Sequence, residues 1–253
     1  MRQKRTADRP LVVYGANPVL ELLRSSHPVT SVQLGPGPRA RELAAAACAR
    51  DVPVVEEADR GALTRRAGSP HHQGAVALVP FFRYAPLGRL LSEACRSALL
   101  LDGIQDPRNL GAIIRTARAA GLDGVVLPQD RSVGVTGVVA ATSAGLVFGL
   151  TVARVPNLVR AMAAFKDAGY WLVGLAPRAP QSLAELEPPR RIALVLGGEG
   201  EGLRPLVRQA CDFLTSIPMA PGVDSLNVAV AAGIALYTLV KAPPPTARKP
   251  AIP

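Results

Sequence analysis

Aromatic side chains are scarce in this chain of 253 residues, which carries five Phe, four Tyr and a single Trp. A core must therefore be assembled mainly from Leu, Val, Ile and Ala. Lysine is rarer than its usual share: arginine supplies 25 of the 29 basic residues. Cysteine is limited to Cys48, Cys95 and Cys211, far apart and without a CxxC pair. That spacing favours buried free thiols in a reducing cytosol over a disulfide scaffold or a zinc site. No apolar segment follows Met1–Pro10, and no uninterrupted apolar run is long enough to span a bilayer. A soluble cytoplasmic protein with no membrane partner is expected.

What is present is a hydrophobic fraction of 49% and a formal net charge of +10. The first figure suits a globular chain of one large or two small domains; the second suits a polyanionic partner such as nucleic acid. A compositional preference for Arg, Ala, Pro and Gly explains the choice of arginine over lysine, but not the surplus over acids. Residues 1–90 hold 13 basic against 7 acidic residues, so the N-terminal part is the more basic per residue.

The hydrophobic pattern alternates between the strand and helix periods. "NPVLELLRS" reads as a helix, "VTSVQLG" as a strand, "RARELAAAACARD" as a helix, and "VPVVEE" and "GAVALVP" as strands. Together they predict a small α/β domain over 10–80. Pro80 and Pro86 interrupt the pattern, marking 81–96 as a linker. A second series, "ALLLD", "GVVLP", "YWLVGLA", "RIALVLG" and "FLTSIP", consists of short buried-type strands separated by helical stretches. It predicts a mainly parallel sheet covered on both faces over 97–242, with ligands bound beyond the carboxyl ends of its strands. Residues 1–9 and 243–253 read as tails.

Three loops carry more than packing requires. In "LDGIQDPRNLGAIIRTARAAGLDG", Asp106-Pro107 or Asn109 starts a helix, Gly121 ends it, and Leu110, Ile113, Ile114 and Ala117 form its buried stripe. Arg115 lies off that stripe one turn after Gly111. Over that bare surface its guanidinium would reach back towards Asn109 and form an anion site. In "LGGEGEG" neither G-x-G-x-x-G nor G-x-x-x-x-G-K-[ST] can be placed. Glu199 and Glu201 would repel a pyrophosphate and suit a ligand with positive charge, such as an amine or sulfonium. In "IPMAPGVDSLNVAVAAGIALYTLV", Asp224 or Ser225 caps a helix, and Ser225 with Asn227 exceeds the needs of a cap. The helix is apolar nearly all round, as for a core or a subunit interface. The pair His71-His72 has no accompanying Cys or acidic cluster, and no metal site is expected.

The stretches "LDGIQDPRNLGAIIRTA", "LVLGGEGEGL" and "IPMAPGVDSLNVAVAAG", in this order, resemble the three signatures of the SpoU family of RNA ribose 2′-O-methyltransferases. "VVYGANPVLELLR" and "HHQGAVALV" resemble the family's N-terminal substrate-binding domain, so the likeness spans nearly the whole chain. Within the family the pattern is most similar to the enzymes that methylate a guanosine ribose in 23S rRNA. The resemblance implies S-adenosylmethionine as methyl donor, contacted by Gly197, Ile217 and Leu226 largely through backbone groups. It implies Arg115 as the catalytic arginine, with Asn109, Glu199, Ser225 and Asn227 lining the active site. It further implies a C-terminal trefoil knot, which breaks the usual rule against threaded chains, and a homodimer whose interface includes the last helix.

Two alternatives stay open. One is a different target, in tRNA or elsewhere in rRNA, including the antibiotic-resistance type; the other is an RNA-binding or ribosome-assembly protein without catalysis. "VGVTGVVAATSAGLVFGL" (Val133–Leu150) departs from the family pattern, since the basic and polar residues that commonly flank its small-residue stretch are apolar here.

Overall fold

The computed structural model describes residues 10–37, 39–187 and 190–240. The expected tails, and the last two residues of the expected 97–242 domain, lie outside the described residues. Two sheets organise the chain. The first has the order β1-β4-β2-β3, from β1 (Leu11–Tyr14), β2 (Ser31–Leu34), β3 (Val54–Glu56) and β4 (Ala75–Val79). β4 runs antiparallel to both β1 and β2, and β3 runs parallel to β2. Helices α1 (Ala16–Arg24), α2 (Ala40–Cys48) and α3 (Arg60–Ala67) connect them. The sequence pattern finds every one of these except β1 and α3. The former is four residues long, and the latter has no apolar stripe beyond Leu63.

The second sheet has seven parallel strands in the order β7-β6-β5-β10-β8-β11-β9. They are β5 (Ser97–Asp102), β6 (Gly124–Pro128), β7 (Thr151–Val155), β8 (Trp171–Leu175), β9 (Gln181–Ser182), β10 (Ile192–Gly197) and β11 (Phe213–Ser216). All six strand pairings are parallel. Alternation along the central strands divides the core in two. Leu99, Leu101, Leu194 and Leu196 face α5 (Pro107–Ala119), α6 (Gly137–Thr142) and α9 (Val228–Leu239). Leu100, Val126, Ala193 and Val195 face α4 (Gly88–Leu91), α7 (Leu158–Asp167) and α8 (Pro205–Ala210). This doubly covered parallel sheet with a smaller N-terminal α/β unit is the expected architecture.

β10 enters between β5 and β8, β11 lies beyond β8, and the chain then returns to lay α9 against α5. Such a return path is a precondition of the knot implied by the family resemblance.

The stretch 81–96 runs along the edge of the larger sheet. Ala85 bridges Ala153 of β7, and Phe82 and Leu90 are buried. The apolar departure at Val133–Leu150 also finds its reason here, because it docks the two sheets together. A Cβ on Gly137 would lie 2.2 Å from the Val12 carbonyl oxygen, and one on Gly145 2.7 Å from Pro18 Cα, so only glycine permits this approach. Phe148, buried at the seam, packs edge-on to His27, which stacks on Phe82.

The cysteine expectation needs correction. Cys48 is exposed on the last turn of α2, and Cys95 and Cys211 are half-buried. Burial pushes the Cys211 thiol up to about 11, which keeps it protonated and inert at neutral pH. No helix among the described residues is long and apolar enough to cross a membrane.

Candidate active site

The carboxyl ends of β5 and β10 stand side by side, Asp102 opposite Gly197. The Asp102 carboxylate is the anchor of this region, with its side chain wholly buried. Its Oδ2 accepts the Arg204 backbone N–H at 2.9 Å, and its Oδ1 accepts Arg204 Nε–H at 2.7 Å. The Asp102 carbonyl meanwhile accepts the Gly198 N–H at 2.8 Å. Both ends of the loop 198–204 are thereby tied to β5, and a buried carboxylate is balanced by charge and hydrogen bonds.

Glycine is obligatory in this loop for steric reasons. A Cβ on Gly197 would lie 2.0 Å from the carbonyl carbon of Gly202, and one on Gly198 2.4 Å from the Gly103 carbonyl oxygen. Gly200 and Gly202 have φ of 92° and 66°, in the left-handed region. The glycines thus fold the loop tightly on itself and leave backbone as the floor of the adjoining space.

That space is a cavity of about 440 Å³. Leu175–Pro177, leaving β8, form one wall. Gly197, Gly198 and Glu199 form the floor and rim, while Ile217 and Met219 after β11, with Ser225, Leu226 and Asn227 before α9, close it. Arg178, held at a φ of 57°, pairs with Asp224 at 2.9 Å and joins the first wall to the last across exposed surface.

One hydrogen-bonded chain links all three polar loops. Asn227 Oδ1 accepts the N–H groups of Ala229 and Val230 at 2.9 and 3.4 Å, so Asn227 is the N-cap of α9. With its oxygen committed to the helix, its Nδ2 is left to donate to Asn109 Oδ1 at 3.1 Å. Asn109, on the first turn of α5, is oriented in turn, and its Nδ2 donates to Glu199 Oε1. Helix capping therefore fixes two amide orientations and presents Glu199 as an acceptor.

Two details correct the sequence reading. The cap is Asn227, not Asp224 or Ser225; Asp224 pairs with Arg178 instead, and Ser225 lines the cavity. Gly111 offers no bare surface to Arg115, because Thr142 and the Val139 carbonyl of α6 fill it; a Cβ there would lie 2.6 Å from Thr142 Cβ. Arg115 is exposed on α5, makes no hydrogen bond or ion pair with any described residue, and does not line the cavity. The structure thus brings together Asn109, Glu199, Ser225, Asn227, Gly197, Ile217 and Leu226, and leaves Arg115 outside this group.

Sequence reasoning missed Asp102, Arg204, Gly198, Met219 and the wall at Leu175–Pro177. The last was legible, since "WLVGLAP" ends a predicted strand, where parallel sheets place their ligands. Asp102 appeared as the end of a strand, and nothing in "LLLDG" shows that its partner lies beyond the glycine loop.

A seven-stranded parallel sheet with a glycine-floored cavity and oriented polar groups at its strand ends defines an α/β enzyme with a pocket for a small organic ligand. Residues 96–237 match the SpoU rRNA Methylase family, and residues 12–85 match RNA 2′-O ribose methyltransferase substrate binding. The chain belongs to the SpoU family of RNA methyltransferases.

Among its relatives is an uncharacterized tRNA/rRNA methyltransferase of Mycolicibacterium vanbaalenii, 41% identical over 249 residues, covering 95% of this chain and 79% of the relative. The SpoU methyltransferase AviRb of Streptomyces viridochromogenes, solved with AdoMet, is 28% identical with a TM-score of 0.80 and covers 95% of this chain and 93% of its own. An AdoMet-bound rRNA methyltransferase of Sinorhizobium meliloti is 27% identical, with a TM-score of 0.79, 91% of this chain and 86% of its own covered.

Proposed function

We propose that this protein transfers the methyl group of S-adenosylmethionine to a ribose 2′-hydroxyl of ribosomal RNA, with a guanosine of the 23S rRNA as the target favoured by the sequence resemblance. The observation that carries the reading is the Asn227–Asn109–Glu199 chain at the rim of a glycine-floored cavity. The residues present fit the donor molecule. About 440 Å³ accommodates a ligand of nucleoside size, the floor is formed by the backbone of Gly197 and Gly198, and Glu199 supplies negative charge beside the site of a sulfonium. Gly197, Ile217 and Leu226 would hold it. When bound, S-adenosylmethionine supplies an electrophilic methyl on a positively charged sulfur, with S-adenosylhomocysteine as leaving group.

The chain's own residues then have to orient the ribose and receive its proton. Glu199 Oε1 is occupied by Asn109, and in this reading the other carboxylate oxygen accepts the hydrogen bond and then the proton of the 2′-hydroxyl as the hydroxyl oxygen attacks the methyl carbon. Ser225 lines the same edge. A guanidinium stays protonated at neutral pH and is a poor base, so the role consistent with an exposed Arg115 is to clamp an RNA phosphate. Arg115→Lys keeps the charge and loses the planar fork. Near-normal turnover in that variant would rule out the bidentate clamp.

Residues 10–80 form the RNA-binding part in this reading, 81–96 the connection and 97–242 the catalytic part. α9 supports a homodimer: Val230, Ile234 and Tyr237, at i, i+4 and i+7, are exposed on a helix whose other side is buried. The test is incubation with labelled S-adenosylmethionine and separate rRNA and tRNA pools, followed by mapping of the modified ribose. Incorporation into 23S rRNA at one guanosine is expected. Incorporation only into tRNA overturns the target, and none into any RNA by cofactor-loaded protein overturns the activity.

A further inference from the structure

A second cavity, of about 420 Å³, lies at the seam where the two sheets meet. From the N-terminal side it is lined by Leu11, Val12 and Tyr14 of β1 and by Phe82 and Tyr84; from the larger sheet come the segment 134–138 and Arg154 of β7. Its chemistry is unlike that of the strand-end cavity. In a chain with only ten Phe, Tyr and Trp residues, three are gathered here. The half-buried Tyr14 and Tyr84 offer their rings, while Phe82 is buried behind them.

Among the described residues, Arg154 is the one charged side chain on this lining, and the other polar side chains, Tyr14, Tyr84 and Thr136, carry hydroxyls. Arg154 sits over the Tyr84 ring, its guanidinium carbon 5.7 Å from the centroid, and gives Nη2 to the Gln129 carbonyl. Its Nε is shielded from solvent and has no partner among the described residues. Tyr84 Oη accepts the Val135 N–H at 2.8 Å, which leaves its own proton to give. No Asp or Glu lines the cavity. Aromatic faces beside an arginine with unused donors form a site for a flat, acceptor-rich ring carrying an anion. The position adds a further constraint, because the cavity is bordered by both the region matching RNA substrate binding and the region matching the methylase.

We propose that this seam cavity receives one unpaired nucleotide of the RNA substrate, its base against Tyr14 and Tyr84 and its phosphate on Arg154. The proposal rests on the reading of the protein as an RNA methyltransferase, and gives that reading a single-strand requirement away from the reacting ribose. A base can enter only if it is free of a helix, so the target must offer a loop or bulge.

The test is equilibrium binding of a fluorescein-labelled single-stranded oligoribonucleotide, and of a duplex of equal length, to the full chain and to Arg154→Gln and Tyr14→Leu. For the single strand, Tyr14→Leu is expected to weaken binding at least about fivefold with an unchanged salt dependence, as for a lost stacking contact. Arg154→Gln is expected to weaken it about tenfold and to reduce the slope of log affinity against log salt by about 0.7, as for one lost phosphate contact. Duplex affinity and S-adenosylmethionine affinity should not change in either variant.

Single-strand affinities within twofold of the native protein in both variants would overturn the proposal. So would equal losses for duplex and single strand, which would indicate a general charged surface. Should Arg154→Gln fail to fold, Tyr14→Leu decides alone. Methyl transfer that is absent while the Tyr14→Leu effect persists sinks the catalytic reading only; intact transfer with both variants silent sinks the nucleotide site only.

Discussion

The two cavities are of nearly equal size and opposite character. The one at the strand ends has a floor of glycine backbone, a carboxylate at its rim and no basic lining residue; the one at the seam has tyrosines, an arginine and no carboxylate. The first is built from loops that converge because parallel strands all end on one side of the sheet. The second exists because the two sheets meet at glycines and leave a gap between them. Charge sign therefore divides the labour: a sulfonium is favoured at the first and a phosphate at the second.

The sharpest way to break this contrast is through Asp102. Asp102→Ala leaves the Arg204 guanidinium without its buried partner and frees the Arg204 end of the glycine loop, the Gly198 end keeping its bond to the backbone carbonyl of residue 102. A loss of about 3 kcal/mol of stability is expected, seen as a large fall in Tm, with cofactor binding lost while the seam keeps its affinity for single-stranded RNA. Equal loss at both cavities would show that they are not independent.

Acid should act on the seam instead. Burial, aided by Arg83 and Arg50, lowers the His27 pKa to about 4, and His27 Nδ1 accepts the Arg83 N–H at 3.3 Å. Unfolded, the same histidine titrates near 6.5, so between these values the unfolded chain binds more protons. Stability is therefore flat above about pH 6.5 and falls as pH drops towards 4, by on the order of 3 kcal/mol from this group. Burial also lowers the His72 pKa, and its effect has the same sign. Thermal melts between pH 7.5 and 4.5 should show the loss, and His27→Gln should flatten it.

Gly198→Ala places a methyl against the Gly103 carbonyl. A cost of about 1–3 kcal/mol and at least tenfold weaker S-adenosylmethionine binding by calorimetry are expected, with seam binding intact. The smallest effect on stability is Asn227→Ala, about 1 kcal/mol for a lost cap. Its effect on turnover should be larger than on cofactor affinity, because it releases Asn109 and Glu199. Equal effects on both would argue against the hydrogen-bonded chain as an orienting device.

Much of the larger sheet was legible in the sequence because its strands are continuous apolar runs, and a run such as "RIALVLG" has few alternatives once Gly-rich loops bound it. β7, "TVARV", was missed because Arg154 interrupts the run, and that arginine is the one at the seam cavity. The three polar loops were also legible, each carrying more polar residues than packing needs. What the pattern could not supply was partnership across the chain. Asp102 with Arg204 and Asn109 with Glu199 are pairings of residues about a hundred or ninety positions apart, set by strand order. Arg115 shows the opposite error: helical geometry aimed it over Gly111, but that glycine is small in order to admit α6.

The cap at Asn227 has a consequence in time. The amide orientations of Asn227 and Asn109 are set by the backbone of α9, and Ile217–Ala231 closes the cavity. During synthesis, every strand of the larger sheet emerges before that helix does. A nascent chain that stops short of Ile217 therefore carries every described strand of that sheet but not the residues that close the pocket, so ligand binding waits on the arrival of α9.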